Sequence, residues 1–537
     1  MDYLKVGKAV ELTGQDRRLY RLLEILPGFL SWGTLLILLV GSYFRPVWVA
    51  YFLIAFDVYW LLLVVYLGLY LLVSFRKLKE NIKIDWHKKC EELAVSPFCY
   101  LDPDIPRAKR KESESGCLAK AGISWPDIIH LIIFPTYNES LEVIRPSFEG
   151  LINDGYPPEK MIVVLAIEGR AGVAARERAE VIKREFGHKF RSFLITVHPD
   201  IAGELKGKGA NQAWAAQRVK EEIVDKEKLN YDKILVSVFD IDTVVKPGYF
   251  FCLTFKFLTV SAPYRASYQP VPVYHNNIWQ SSFFARVAAS SNTFWQMMQQ
   301  MRQEKLATYS SHSMTWRALV DIGFWSTNMV SEDSRIFWHC LLYYKGDYRV
   351  ESLHFPVSMD VTMDETMGQT AKSLYKQQRR WGWGVENIPY LIFNAIKKRR
   401  ELPKRKIASR ILVQIYGFHS WATNALIIGI IGWMPMILGG DRFNATVLSS
   451  NLPLITRTLM TFAMAGLVVS AIISTSLLPP RPSRYGWHKN IIMVLQWLVL
   501  PFSIIIFGAI PGLEAQTRLM LGKYMGFFVT PKSRGGE

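Results

Sequence analysis

The sequence predicts an α/β domain with a mostly parallel sheet, inserted between membrane-spanning α-helices. Three observations predict it. Five long apolar segments are divided two and three around a long polar stretch, β-rich and helical runs alternate inside that stretch, and lysine and arginine clusters mark both of its junctions.

With 537 residues the chain is long enough for about two or three structural units. Half of the residues are hydrophobic and 20% are charged, a mixture that suits a soluble domain joined to membrane segments. Lys plus Arg number 64 against 46 Asp plus Glu, for a formal net charge of +18. Basic residues flanking membrane segments account for much of this excess, and with no nucleic-acid motif present, nucleic acid is not an expected partner. Cys90, Cys99, Cys117, Cys252 and Cys340 form no CxxC pair, which argues against a disulfide framework or a structural zinc site and favours a reducing compartment. No cleavable signal peptide is expected: Lys5, Lys8, Arg17, Arg18 and Arg21 precede an apolar run long enough to span.

A spanning helix needs about 20 mostly apolar residues. Segments 25–43, 47–74, 410–439, 455–478 and 490–512 approach that length, the first two forming a hairpin around Arg45 and Pro46. Arg76, Lys77 and Lys79 follow the second span, and Lys397, Lys398, Arg399, Arg400, Lys404, Arg405 and Lys406 precede the third. Such clusters stay on the cytosolic side, so the domain between them is expected to be cytosolic and the stretch 439–453 to face outward. The last segment is basic at both flanks, so it either crosses fully or, broken at Pro501, is re-entrant or interfacial. The expected divisions are 1–80 (N-terminal segment and hairpin), 81–375 (cytosolic domain), 376–408 (interfacial helices), 409–513 (C-terminal spans) and 514–537 (tail). Residues 102–120, rich in charge and turn formers, are expected to be a surface loop.

From residue 128 onward, β-rich runs at 128–134, 161–167, 191–197 and 233–239 are separated by helical stretches near 139–154, 173–186 and 210–223. Alternating βα units imply a parallel sheet covered by helices, with ligands bound at the carboxyl ends of its strands.

The first strand ends in Phe134-Pro135-Thr136-Tyr137-Asn138-Glu139. This turn either presents backbone and ring to a flat base, or lets Asn138 cap the next helix. The second ends at Glu168, placed either to hydrogen-bond a base or ribose or to act as an ordinary solvated charge. Lys206-Gly207-Lys208-Gly209-Ala210-Asn211 opens a helix, where glycines allow close approach and lysine favours phosphate oxygens; the alternative is a flexible basic turn. The fourth strand runs into Asp240-Ile241-Asp242. Period-two alternation puts both carboxylates on one face, where they can share one divalent cation, and Mg²⁺ or Mn²⁺ suits such oxygens. Ser331-Glu332-Asp333 offers a carboxylate, Asp333, to take an acceptor proton, or else an N-cap for a helix starting near Ser334. Gln377-Gln378-Arg379-Arg380-Trp381 supplies a guanidinium for a diphosphate and a broad ring for a sugar, or else anchors an interfacial helix.

In this order the motifs resemble those of processive family 2 glycosyltransferases, the cellulose, chitin and hyaluronan synthases. The resemblance runs from Pro135 to the C-terminus. It implies a GT-A fold, a nucleotide-sugar donor, and a polysaccharide acceptor or, in single-transfer relatives, a lipid one. It implies that Thr136, Tyr137, Glu139 and Glu168 meet the base, and that Lys208, with Asp240 and Arg380, meets the diphosphate. Asp242 would be the main metal ligand beside Asp240. Asp333, with Glu332, would supply the general base, and Gln377 and Trp381 would hold the acceptor. The tail Phe527-Phe528-Val529-Thr530-Pro531-Lys532 resembles the FxVTxK gating loop, with Thr530 and Lys532 against the diphosphate. Two departures stand out: Glu168 replaces the usual Asp, and Ser311-His312-Ser313-Met314 replaces a Gly-Thr or Gly-Ser turn near the acceptor. The resemblance thus implies an inverting, metal-dependent transfer from a UDP-sugar at an inner or plasma membrane, with accessory subunits compatible with it.

Overall fold

The computed structural model describes residues 2–99, 117–532 and 534. Most of the expected surface loop, 102–116, lies outside the described residues.

Strands β1 (Ile129–Thr136), β2 (Met161–Glu168), β3 (Ser192–His198) and β4 (Ile234–Val238) follow the four apolar runs. They lie side by side in the order β3-β2-β1-β4, all parallel. Alternation sends successive side chains to opposite faces. On β1, Ile132 and Phe134 enter a core with the helices Leu141–Asn153 and Gly172–Phe186. Leu131 and Ile133 enter a second core with the helix Lys208–Val219. Because both faces are covered, β1 and β2 read as continuous apolar runs.

The other half of the sheet adds β5 (Val244–Val245), β6 (Ala266–Tyr274), β7 (Ser313–Thr315) and β8 (Arg349–Met359). The full order is β3-β2-β1-β4-β7-β6-β8-β5. Here β7 is antiparallel to both β4 and β6, β6 runs parallel to β8, and β5 closes the edge antiparallel to β8.

Five helices are long and apolar enough to cross a membrane: Gly14–Phe44, Pro46–Lys83, Lys404–Gly429, Val447–Leu477 and His488–Met520. Their outer faces expose large apolar side chains, with Ile37 at 72%, Trp48 at 73% and Phe502 at 66%, as a lipid-facing belt requires. The third helix stops at Gly429, short of the apolar run's end at 439, and short helical pieces follow around Pro435 and Gly440, which has φ +70°. The fifth is helical throughout. A 3₁₀ turn at Gln496–Val499 precedes Pro501 and a π turn at Ile505–Ala509 precedes Pro511. Each proline lacks an N–H and crowds the preceding turn, so the ladder is distorted there without breaking.

The last helix positions the site. Its segment Ile510–Met520 packs against the helix Met367–Gly382, where a Cβ on Gly382 would come within 3.2 Å of the Gly512 backbone. Glu514 accepts bonds from Tyr375 (2.8 Å) and Arg379 (2.6 Å), and Gln516 accepts one from Ser31 (2.7 Å).

Candidate active site

The carboxyl ends of β1 and β2 carry a flat, charged ledge. The Glu139 carboxylate accepts bonds from the Thr136 hydroxyl and the Tyr137 N–H, both at 2.8 Å, so it closes the turn that follows β1. The Arg170 guanidinium lies 4.6 Å over the Tyr137 ring and donates to Glu168 at 2.6 Å. Asn138 does not cap the next helix: its side chain accepts from Arg178, and the N-cap position belongs to Ser140.

The helix Lys208–Val219 is tied to β2 by Asn211, whose amide donates to the Ala166 carbonyl at 2.7 Å. Gly209 lets this helix start close to Glu332, since a Cβ there would meet the Glu332 Cγ at 3.1 Å. The Lys208 ammonium consequently reaches Asp240 at 2.8 Å and Asp333 at 2.9 Å. Burial opposes its charge, but Asp240 and then Asp333 outweigh burial and hold Lys208 well above the usual lysine range.

Strand β4 stops at Val238, so the alternation argued from the sequence does not extend through Asp240 and Asp242. The two carboxylates instead leave a turn toward different partners. Asp240 faces Lys208 and accepts from the Ser310 hydroxyl at 2.6 Å. Asp242, only 1% exposed, accepts from the Asp360 N–H at 2.9 Å and from the Lys532 ammonium. Burial pushes the Asp240 carboxyl up, but Lys208 and Lys532 outweigh it and hold it well below the usual range.

Glu332 and Asp333 open the helix Glu332–Tyr343, with Ser331 at the N-cap position, so Asp333 is not the cap. Burial and then the neighbouring Asp333 charge push Glu332 up to about 8. Glu386 holds this helix start in place, accepting from the Ser331 N–H (3.0 Å), the Ser331 hydroxyl (2.7 Å) and the Trp383 indole (2.9 Å).

The helix Met367–Gly382 begins with a capping box between Thr366 and Gln369. Along it, Gln377 accepts from Thr362 at 2.8 Å, and Gln377 and Trp381 line a small cavity with Tyr274, Asp360 and Thr362. Arg380 stacks 4.8 Å over Phe527 of the tail, and Lys376 lies 4.9 Å over Phe528. The tail crosses the cleft from there: Phe527 packs on Gly207, Thr530 is buried, and Lys532 ends on Asp242.

Lys208, Asp240, Asp242, Glu332, Asp333, Arg380 and Lys532 thus share one cleft. Glu139 lies outside it, in the turn after β1, and acts on it through its charge on Lys532. The motifs did not point to Asp360, Ser310, Arg170 or Glu386. Asp360 carries the same signal as the β4 acids, a carboxylate just past a buried strand, but Glu351, Ser352 and His354 interrupt the apolar residues of β8 and hide it in the sequence. As donors for Mg²⁺ or Mn²⁺, the buried Asp242 oxygens fit, being hard and already facing a cationic ammonium. Among the described residues, no three His, Cys, Asp or Glu side chains form a closed metal cage. An ion held at Asp242 would complete its shell with oxygens of water or of a bound ligand.

A family model described as glycosyl transferase family group 2 matches residues 235–510, slightly more than half of the chain. The chain belongs to this family. The match runs from β4 through both aspartates of the Asp240-Ile241-Asp242 turn, the Glu332–Tyr343 helix and Gln377 to Trp381, into the last membrane helix. This glycosyltransferase has a GT-A domain, with a curled, mixed sheet flanked by apolar helices. No curated protein matches it. Among solved structures it is similar to the mannosyltransferase PcManGT from Pyrobaculum calidifontis in complex with GDP-Man and Mn²⁺, at 12% identity and a TM-score of 0.39, covering 79% of this chain and 98% of that one. It is also similar to S. aureus TarS 1–349, at 11% identity and a TM-score of 0.34, and to TarS 1–349 in complex with UDP-GlcNAc, at 12% and 0.32; each match covers 65% of this chain and 91% of the 1–349 chain.

Proposed function

We propose that this glycosyltransferase moves a sugar from a UDP-sugar onto a growing β-linked polysaccharide in one inverting displacement, and passes the product toward its membrane helices for export. The observation that carries the reading is the Lys208 ammonium held between Asp240 and Asp333, with the tail's Lys532 on Asp242.

In this mechanism Tyr137 stacks on the base, and Glu168 and Arg170 hydrogen-bond its edge. The diphosphate faces Lys208, Arg380, Thr530 and Lys532, all suited to phosphate oxygens. A divalent ion at Asp242, when bound, neutralises charge on the departing diphosphate. Lys208 turns its hydrogen bonds to the diphosphate and frees the Asp333 oxygens. Asp333 then takes the proton of an acceptor hydroxyl held against Trp381 and Gln377. The acceptor oxygen forms a bond to the anomeric carbon as the carbon–oxygen bond to the diphosphate breaks on the opposite face, and UDP leaves with the electron pair. An α-linked donor becomes a β-glycoside.

Export is supported by polar groups inside the helices. Asp57 accepts from Thr456 at 2.7 Å, His419 lies 2.9 Å from the Thr34 hydroxyl, and Asn424 is buried.

The test is incubation of membranes carrying the chain with labelled UDP-glucose, UDP-N-acetylglucosamine and GDP-mannose, followed by sizing of the product. A long polymer cleaved by β-specific glycosidases is expected from a UDP-sugar. A single labelled sugar extracted with lipid would replace the polymer reading, and transfer from none of the donors would overturn the whole.

A further inference from the structure

Two cations of the C-terminal tail rest on two linked carboxylates. The Lys532 ammonium binds Asp242, and the Arg534 guanidinium binds Asp360 at 2.7 Å. The acids come from the turn after β4 and the end of β8, yet they form one buried unit, 1% and 5% exposed. The Asp360 N–H donates to the Asp242 carboxylate at 2.9 Å, and the Asn276 amide donates both to the Asp242 carbonyl (2.9 Å) and to the Asp360 carboxylate (2.8 Å). Buried like charges this close are relieved by a neighbouring cation or by a proton on one of them, and here a cation of the tail sits on each. Asp240 differs in its bonded partners, Lys208 and Ser310, which belong to the catalytic domain; Lys532 of the tail acts on it through charge, without a bond.

We infer that Asp242 and Asp360 together form the divalent-cation site of this glycosyltransferase, and that Lys532 and Arg534 of the tail compete with the metal for it. The inference rests on the proposed nucleotide-sugar reaction for the identity of the ion. Both carboxylates offer hard oxygens, which suit Mg²⁺ or Mn²⁺. An ammonium and a guanidinium on those oxygens occupy positions that a metal also needs, so the two sets of cations exclude one another. A diphosphate changes the balance in two ways: it supplies oxygens to the metal and gives Lys532 a new anionic partner. Metal and nucleotide therefore bind with positive coupling, and the tail sets the size of that coupling. The tail is wedged into the cleft rather than resting loosely over it. Phe527 fills the space beside Gly207, where a Cβ would come within 2.6 Å of its ring. The Thr530 hydroxyl is buried with no hydrogen-bond partner among the described residues, leaving it available to a ligand oxygen.

The experiment is Mn²⁺ binding to the purified full chain without nucleotide, followed by electron paramagnetic resonance of the free ion. K532Q/R534Q is expected to bind Mn²⁺ about tenfold more tightly than wild type, because the competing state is removed. Adding D360N to that variant should remove the gain, whereas adding D240N should cost much less. UDP should tighten Mn²⁺ binding to wild type more than to K532Q/R534Q. Circular dichroism melts show which variants are folded, and D360E serves if D360N is not. Equal Mn²⁺ affinity in wild type and K532Q/R534Q would overturn the competition, and a D360N effect no larger than that of D240N would overturn the site. Neither readout involves sugar transfer, so failure of the proposed reaction is scored separately by the donor panel.

Discussion

The Lys208 ammonium stands 2.9 Å from Asp333, 125 residues further along the chain, and 2.8 Å from Asp240. One buried cation thus joins two helix starts and the turn after a strand. Each partner comes from a different βα or helical unit, so the contact reports that the whole domain is assembled.

Replacing Lys208 by methionine leaves Asp240 and Asp333 without that cation. Removing one partner of a buried ion pair costs about 3–5 kcal/mol. The variant should unfold at a clearly lower temperature than wild type. A melting temperature equal to wild type at neutral pH would contradict the bridging role.

Glu386 couples the helix bearing Arg380 and Trp381 to the one bearing Asp333, through Trp383 and Ser331. Glu386→Ala loses charge-assisted bonds, each contributing about 1.5–3 kcal/mol. The transfer rate should fall while donor affinity changes little, and Trp383 fluorescence should shift. A loss of donor affinity with an unchanged rate would show that Glu386 acts elsewhere.

Gly207→Ala places a methyl group where Phe527 now packs, 2.6 Å from its ring. The ring must move, and with it the stacking on Arg380. Trypsin should cut at Lys523 faster than in wild type, seen by mass spectrometry, and transfer should slow. Unchanged proteolysis would mean that the tail does not depend on this contact.

Glu332 sets a pH dependence. Its carboxyl is pushed from 4.5 to about 8 by burial and by Asp333. The folded chain therefore holds a proton that the unfolded chain has released between those values. The associated stability is present below pH 4.5 and is lost as pH rises toward 8. Glu332→Gln removes the proton linkage and should flatten the fall in denaturation midpoint between pH 5 and 8. An identical slope in both proteins would remove Glu332 as its source.

The parallel half of the sheet was legible because β1 and β2 are buried on both faces and are long unbroken apolar runs. β7 is only three residues long and is held by pairing on both sides, so no local pattern announces it. Asp242 and Asp333 stood out as acids at the ends of apolar runs or at helix starts. The strand's early stop at Val238 did not, and it changes what Asp240 and Asp242 face. Glu139 stood out beside Tyr137, but its bonds to Thr136 and Tyr137 fall within the turn, a local geometry the motif does not encode. Glu386 acts through partners far off in sequence, which no spacing rule reaches, and Asp360 stands just past β8, a signal that is visible only once that strand is placed.

The most direct measurement compares Asp333→Asn with wild type in donor binding and in transfer. The account predicts UDP-sugar affinity within about twofold of wild type, with the rate of transfer lower by about 10²–10⁴. A variant that transfers sugar at the wild-type rate would contradict the assignment of Asp333 as the base.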